Sequence, residues 1–354
     1  MLFYFIFLFT IALLSGRYNI AGYSTIKPHF GYYIACLIVI FTAIFRFDMG
    51  WDYKTYYLVA DPDYKYFVVY NFGLSGVIIY DIANYFNNPL LVFVIYGLIT
   101  YILIFKVIDE NSSSKYESLI IYVAVFYLTS WSIMRQCAAG AVLFLGYKYI
   151  KNKNIIKYIV ICMIASFIHS ASVVGILLYP IYHMRYFYVI VFGLIIALSI
   201  NFVLPIVISM LGLPYMSYLT KASEGSTLTR FFNLLLLFYC LALALYSKNF
   251  NNNRGLLSII TLGTLFPFIL KSHLGARIGE YFLIYFVLLI PSLNQKLNIN
   301  KRSIITMILN IYFILMLLAT VHLSKSKNYV PYRFYFTTDR NEIFNPRFLE
   351  AMDL

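Results

Sequence analysis

Apolar residues fill this chain in stretches of about 15 to 25 residues, and short polar loops separate the stretches from one end to the other. An α-helix needs about 20 apolar residues to cross a bilayer, so the pattern predicts helices that span a membrane. A transmembrane barrel would need short alternating segments instead. The predicted spans are 2–14, 32–45, 89–107, 118–130, 133–149, 155–168, 171–181, 186–204, 228–246, 256–270, 278–289 and 304–323.

This pattern predicts an all-α integral membrane protein, a polytopic bundle of about 10–12 spans. Several stretches are short, which indicates broken or re-entrant helices. No soluble block interrupts them, so residues 1–354 form a single membrane domain in this interpretation. Residues 50–88 and 324–354 are expected to be extracytoplasmic or interfacial elements.

Composition supports the membrane class. The chain is 62% hydrophobic and only 12% charged, whereas soluble domains are roughly a quarter charged. The four cysteines lie inside apolar stretches, where a thiol behaves as a small hydrophobic group. Neither a disulfide framework nor a zinc-binding spacing is therefore expected.

The net charge of +13 comes largely from lysines in short loops between predicted spans. Such clustering follows the rule that positive residues stay on the cytoplasmic side. It places three loops in the cytoplasm, 148–157, 248–254 and 296–302, and it argues against nucleic-acid binding.

The stretch 155–181 sets the predicted topology. As one helix it would be about 40 Å long, and the loop 248–254 would then fall outside the cell. If the helix breaks at residues 169–172, the chain turns back across the membrane, and all three basic loops lie in the cytoplasm. We favour the break, which places Arg46, Asp52, Arg135, His169 and Arg277 at the extracytoplasmic face, together with the tail after Ser324.

Polar and aromatic residues near Arg46 form a candidate sugar-binding surface. Arg46 ends a span, and Trp51, Asp52 and Tyr53 follow a glycine that permits a tight turn. An acid beside aromatic faces is a good surface for carbohydrate. The alternatives are an arginine that snorkels to the interface and an ordinary belt of interfacial aromatic residues.

Arg135 lies in an otherwise apolar region and is followed by Gln136. A buried guanidinium without lysines nearby usually has an anionic partner, and its five planar donors suit a diphosphate. The alternative is a structural ion pair with Asp48 or Asp52.

His169 stands at the proposed break, between apolar and hydroxyl residues. Its near-neutral pKa makes it a candidate general base if it faces a cavity. The alternative is a hydrogen-bonded structural histidine.

Arg277, Glu280 and Tyr281 share one helix face by their spacing. They can contact phosphate and sugar, or Arg277 and Glu280 can form an ion pair within the helix. In the tail, Tyr332 and Arg333 combine an aromatic ring with a cation, and a loose interfacial segment is the alternative there.

Together these motifs resemble the EpsG-like branch of the Wzy-type polysaccharide polymerases, in the right order and over nearly the whole chain. The matching elements are Arg46-x-x-x-Gly50-x-Asp52-Tyr53-x-x-Tyr56, Met134-Arg135-Gln136, Phe167-Ile168-His169-Ser170-Ala171, Arg277-x-x-x-Tyr281-Phe282 and Pro331-Tyr332-Arg333. Trp51 departs from the pattern, because a small or hydroxyl residue is expected at that position.

The resemblance implies a glycosyltransferase of the bacterial plasma membrane, related in architecture to the GT-C class. Its donor and acceptor would be undecaprenyl-diphosphate-linked oligosaccharides, joined at the outer face to make O-antigen, capsule or exopolysaccharide. The reaction would need no metal or cofactor, and a chain-length regulator protein is a candidate partner.

The resemblance also gives each candidate residue a role. Asp52, His169 and Arg135 would be catalytic. The diphosphate would be bound by Arg46, Arg135, Arg277 and Arg333. The sugars would be contacted by Trp51, Tyr53, Gln136, Glu280, Tyr281 and Tyr332.

Two other functions fit a polytopic chain with these residues. A flippase for lipid-linked oligosaccharides would also use a cationic cavity, but it needs access from both faces, and the arginines are predicted at one face. A membrane acyltransferase would place a histidine in an apolar helix, as His169 is placed.

Overall fold

The computed structural model describes residues 2–15, 28–60, 73–195, 206, 210, 227–269, 273–323 and 327–338. Within these ranges the chain is helical and contains no β-strand. The first helices are α1 (Leu2–Ser15), α2 (Pro28–Ile44), α3 (Tyr53–Val59), α4 (Gly73–Tyr85), α5 (Leu90–Asn111), α6 (Lys115–Val125), α7 (Tyr127–Ser132), α8 (Met134–Leu145), α9 (Tyr147–Lys151) and α10 (Ile155–Ile168).

A 3₁₀-helix, Ser170–Leu177, follows α10. The remaining helices are α11 (Leu178–His183), α12 (Tyr186–Ile195), α13 (Thr227–Tyr246), α14 (Phe250–Ile269), α15 (His273–Leu283), α16 (Phe286–Asn294) and α17 (Ile299–Leu323). The all-helical prediction is therefore confirmed for the described ranges. Of the predicted outer elements, residues 61–72, 324–326 and 339–354 lie outside them.

Three of the described helices, α5, α13 and α17, are long and apolar enough to cross a membrane. The α15–α16 pair is bent by 43° and adds a fourth crossing if it is one span. Five shorter apolar segments accompany them. The structure thus supports a membrane protein, and the count of 10–12 spans stays a prediction.

Two predicted spans are each divided in the structure. The stretch 118–130 becomes α6 and α7, and the stretch 133–149 becomes α8 and α9. The first stretch is divided at Phe126. A further break, at Ile133, separates the first stretch from the second, because the ψ of Ile133 (55°) is not helical. Hydrophobic periodicity does not signal such breaks, because the residues on both sides stay apolar.

The chain reverses direction at His169, as the basic loops predicted. His169 has extended backbone angles (φ −150°, ψ 113°) and ends α10. The hydroxyl of Tyr158, in the first half of α10, donates to the carbonyl oxygen of Gly175 at 2.6 Å. The 3₁₀-helix therefore packs back along α10.

The basic loops share one end of the helices. His183 contacts the carbonyl oxygen of Ile150 at 2.9 Å, which joins the first loop to the end of α11. The ring of Tyr182, next to His183, lies against Gly255 near the start of α14, so the second loop belongs to the same end.

The third basic loop lies at this end as well. Ser292 donates to Asn253 at 2.9 Å, which connects it to the second loop. Arg302 donates to Glu117 at 3.2 Å, so the start of α6 also lies there. The common location is what a single cytoplasmic face would require.

At the opposite end, the tail runs beside the segment that follows α2. Phe47 donates its backbone N–H to Arg333 at 3.0 Å, and Tyr335 donates to Phe45 at 2.8 Å. Arg46 and Phe334 form an isolated antiparallel bridge between these two bonds. The chain after the last helix is thereby fixed to the chain after the second.

Gly50 makes this junction possible. Its φ of +104° lies in the region that glycine adopts without strain, and a Cβ atom there would be 2.4 Å from the carbonyl oxygen of Trp131. Its N–H donates to the carbonyl oxygen of Lys327 at 2.9 Å. The turn can therefore approach α7 and the tail together only without a side chain.

We expect Gly50→Ala to destabilise the protein strongly, because it adds backbone strain of about 1–3 kcal/mol to a direct clash. Gly73→Ala is the control, since Gly73 also has positive φ (+66°) but has space for a Cβ atom. Thermal unfolding of the purified protein in detergent measures both. Equal loss of melting temperature in the two variants would contradict the clash.

Candidate functional site

Charged side chains converge at the end opposite the basic loops. They come from separate parts of the sequence. The group consists of Asp52 before α3, Arg135 in the first turn of α8, His169 at the chain reversal, Arg277 and Glu280 on α15, and Lys327 in the tail. We call these six residues the polar cluster.

Gln136 joins the two helices that carry the arginines. Its side-chain amide donates to the backbone carbonyl oxygen of Arg277 at 2.6 Å, and Gln136 itself is 3% exposed. Because Gln136 adjoins Arg135, this bond holds α15 against the start of α8. Gln136 was predicted to contact sugar, and in the structure its amide also positions α15 through this hydrogen bond.

The position of Arg277 depends in addition on small residues. Gly279 lies so close to α14 that a Cβ atom would be 2.8 Å from the carbonyl oxygen of Gly263. Small residues allow two helix backbones to approach in this way within a membrane. The close crossing of α14 and α15 fixes the helix from which Arg277 projects.

Asp52 faces two cations. Burial raises the pKa of its carboxyl group, and the positive charges of Arg277 and Lys327 act in the opposite direction. Arg135 lies nearby, since its backbone is hydrogen-bonded to Tyr56, whose ring also interacts with Asp52. Asp52 and two of the four predicted diphosphate-binding arginines, Arg135 and Arg277, therefore lie close together.

His169 is neutral at physiological pH. Burial, with a smaller contribution from the charges of Arg135 and Arg277, lowers its pKa to about 4. Its Nδ1 atom is hydrogen-bonded to the hydroxyl of Tyr281 at 3.2 Å. Tyr281, predicted to contact sugar, is only 2% exposed and holds the imidazole in place.

The acids that the sequence offered as structural partners of Arg135 interact with other cations. Asp48 forms an ion pair with Arg333 at 3.1 Å and lies 3.9 Å from Lys54. Asp52 interacts with Arg277 and Lys327. Arg135 instead interacts with His169, Tyr56 and Tyr96.

Lys327 was not among the predicted site residues. Its positive charge interacts with both Glu280 and Asp52. The sequence contained one signal for it. A lysine beyond the last span on the predicted outer face departs from the positive-inside rule, and such a departure indicates a specific role.

Trp51, next to Asp52 in the chain, has 57% of its surface accessible. Its backbone N–H donates to the hydroxyl of Ser132 at 3.0 Å, which fixes the turn from which the ring projects. An exposed indole held on a rigid turn can stack on a sugar.

A small cavity lies behind the cluster. Its walls are mostly apolar, but the side chains of Gln136 and Glu280 reach it. The side-chain oxygen of Gln136 is buried without a hydrogen-bond partner in the structure. The cavity therefore places two polar groups where a hydroxyl-bearing ligand or water can pair with them.

Arg46, predicted to bind diphosphate, has a different environment. It is 2% exposed, and its guanidinium donates to the carbonyl oxygens of Met49 at 3.1 Å, Trp131 at 2.9 Å and Ala43. Backbone acceptors from two parts of the chain thus occupy its donors. This geometry favours a structural role over diphosphate binding.

Two predicted sugar contacts are also packed inside the protein. Tyr53 is fully buried, with its ring stacked on Phe93 at 4.4 Å. Tyr332 stacks on Phe3 at 4.0 Å and donates its hydroxyl to the carbonyl oxygen of Thr42. Both geometries favour packing over sugar contact, because the ring faces are covered.

Within the described ranges, no three His, Cys, Asp or Glu side chains lie together as potential metal ligands. The cationic groups near Asp52 and His169 instead make the cluster suitable for an anion. Arginine binds phosphate oxygens through paired donors, and the N-terminus of α8 adds partial positive charge.

A sequence model of the EpsG family matches residues 29–334 of this chain. The chain belongs to the EpsG family. All six residues of the polar cluster lie inside the matched region of this EpsG-family protein, and the resemblance seen in the sequence is confirmed. Membership indicates a polysaccharide polymerase-like function. The comparisons with curated proteins and with solved structures give no match.

The contacts of Arg46 and Arg135 predict opposite effects of mutation. Arg46→Gln should lower the free energy of unfolding by at least ~2 kcal/mol, because buried carbonyl oxygens lose a charged donor. Arg135→Gln should leave stability within about 1 kcal/mol and abolish function. Thermal unfolding and membrane yield measure the first effect, and a glycan assay measures the second.

The matched control is Arg185→Gln, which removes an arginine at the other end of the protein. An Arg46→Gln protein that is stable but inactive would contradict the structural assignment and return Arg46 to the binding residues.

Proposed function

We propose that this EpsG-family protein is a polysaccharide polymerase that joins lipid-diphosphate-linked oligosaccharides at the extracytoplasmic face of the bacterial plasma membrane. The donor and the acceptor are undecaprenyl-diphosphate-linked repeat units. The product belongs to the O-antigen, capsule or exopolysaccharide class. The enzyme is a glycosyltransferase of the Wzy type.

The observation that carries this proposal is the convergence of Arg135 and Arg277 beside Asp52 and a neutral His169. Two arginines from separate helices supply donors for an anionic group, and an adjacent carboxylate can accept a proton. A sugar diphosphate and an attacking hydroxyl require that combination.

The reaction breaks one bond and forms one. An oxygen of the acceptor sugar attacks the anomeric carbon of the growing chain, and the bond from that carbon to the diphosphate oxygen breaks. The proton of the attacking hydroxyl passes to the carboxylate of Asp52. The lipid diphosphate leaves with the electron pair of the broken bond.

Arg135 and Arg277 stabilise the leaving group in this mechanism. Negative charge grows on the diphosphate as the bond breaks, and donors already in place at that position stabilise the transition state. Arg333 carries a weaker assignment, because Asp48 already neutralises it at 3.1 Å. We therefore place Arg333 at the rim of the site.

Asp52 is a better candidate for the base than His169. A histidine that accepts a proton becomes a buried cation near Arg135 and Arg277, and the low pKa of about 4 reflects first the burial and then the repulsion. A carboxylate that accepts a proton becomes neutral and avoids this repulsion. His169 then orients a hydroxyl through the ring nitrogen that does not contact Tyr281.

Sugar contacts come from one exposed ring and from two polar groups at the small cavity. Trp51 provides an exposed ring, and Glu280 with the side-chain oxygen of Gln136 provides hydrogen-bond acceptors at the cavity. The face assignment follows from the basic loops at the opposite end, which the positive-inside rule places in the cytoplasm.

We expect a strain that lacks this protein to make glycan of a single repeat unit, and the wild-type gene to restore a ladder on a gel. Arg135→Gln and Arg277→Gln should each reduce polymerisation about 10²- to 10³-fold, by analogy with the loss of one donor that stabilises a transition state. Ladder intensity at matched membrane expression measures the effect.

Arg185→Gln should restore the full ladder, because this arginine lies near the basic-loop end. The rival functions give different results in the deletion strain. Absence of surface glycan would indicate a flippase, and a full ladder with altered decoration would indicate an acyltransferase. Either outcome would overturn the polymerase.

A further inference from the structure

Lys327 occupies a defined place beside the candidate base. Its carbonyl oxygen accepts a hydrogen bond from Gly50 at 2.9 Å, two residues before Asp52. The next residue, Asn328, donates to Asp48 at 3.2 Å. Lys327 and the residue after it are thus both bonded to the turn that carries Asp52.

Further contacts hold this part of the tail against the helices. Tyr329 is 1% exposed, and its hydroxyl donates to the carbonyl oxygen of Leu128 at 2.9 Å. Its own carbonyl oxygen accepts from Tyr4 at 2.7 Å. A lysine next to such an anchor has its Cα position fixed, so its charge acts at a set location.

We propose that Lys327, fixed to the turn that carries Asp52, is a positioning residue whose charge acts on Asp52 and Glu280 and keeps Asp52 ionised for the attack of the acceptor hydroxyl. This inference rests on the proposed function, because it assumes that Asp52 is the base. Lys327, which follows the last helix, lies outside the motifs that match the family.

Two acids flank this lysine, and that arrangement distinguishes it from the arginines. Its charge interacts with Glu280 and with Asp52, and burial lowers the pKa of its ammonium group. The interactions of its charge in the structure are thus with carboxyl groups. Its main effect is therefore on the acids themselves.

The other groups that face Asp52 are known from the structure. Arg277 faces it from α15, and Tyr56 and Tyr80 face it from α3 and α4. The two phenols stay neutral near pH 7 because burial raises their pKa values. Among the described residues, Arg277 is then the cation that still acts on Asp52 when Lys327 is removed.

The test is the pH profile of polymerisation by purified protein in detergent, with lipid-linked repeat units extracted from the deletion strain. Burial already raises the pKa of Asp52, and loss of a cation raises it further. Activity requires the ionised form and falls as the pH drops through this pKa. The acid limb is the part of the pH profile in which activity falls as the pH drops. Lys327→Gln should move the midpoint of this limb to a pH about 1 unit higher, and activity should recover at high pH.

Two variants sharpen the result. Lys327→Arg keeps the charge and should restore the wild-type acid limb. Lys54→Gln is the matched control. Lys54 lies two residues after Asp52, and its ammonium group is 3.9 Å from the carboxylate of Asp48. This variant should leave the acid limb in place.

Each alternative outcome is distinct. A loss of activity by Lys327→Gln that is equal at every pH would show a structural role. A raised KM for the lipid-linked units with an unmoved acid limb would show direct diphosphate binding. Both would overturn the inference on Lys327, whereas wild-type protein without polymerisation at any pH would overturn the proposed function itself.

Discussion

The structure around the candidate site depends on the buried guanidinium of Arg46. It donates to carbonyl oxygens at the end of α2, in the following turn and at Trp131, and its charge lies 5.4 Å from the ring centres of Phe93 and Trp131. Carbonyl dipoles and ring faces stabilise a cation that water does not reach. Arg46 thereby fixes the turn from which Trp51 and Asp52 project.

The charged residues at the end opposite the basic loops form two groups, one around Asp48 and one around Asp52. Asp48 pairs with Arg333 and Lys54, whose side chains are 36% and 26% exposed. Solvent screens such pairs, so they guide the tail without contributing much stability. Asp52, Glu280 and Lys327 lie deeper, where the same charges interact more strongly and alter proton affinities.

Hydrophobic patterning predicted the helical class, and the basic loops predicted the reversal at His169 and their own shared end, because each depends on local composition. The motif residues that converge on the site, Asp52, Arg135 and Arg277, were also found from sequence. Burial of Tyr53 and Tyr332 was not predictable, since an aromatic ring at an interface and one in a core look alike along the chain. Lys327 was missed because its neighbours come from residues 50–52 and 280, which only the fold brings near.

The contact between the tail and the turn after α2 can form only late in synthesis. A chain leaves the ribosome from its N-terminus, and its early segments fold first. The turn at residues 46–52 is made early, yet its partners Lys327, Arg333 and Tyr335 follow the last helix by only a few residues. An incomplete chain therefore lacks the tail segment that bonds to this turn, and a truncated product inserted in the membrane would have an incomplete candidate site.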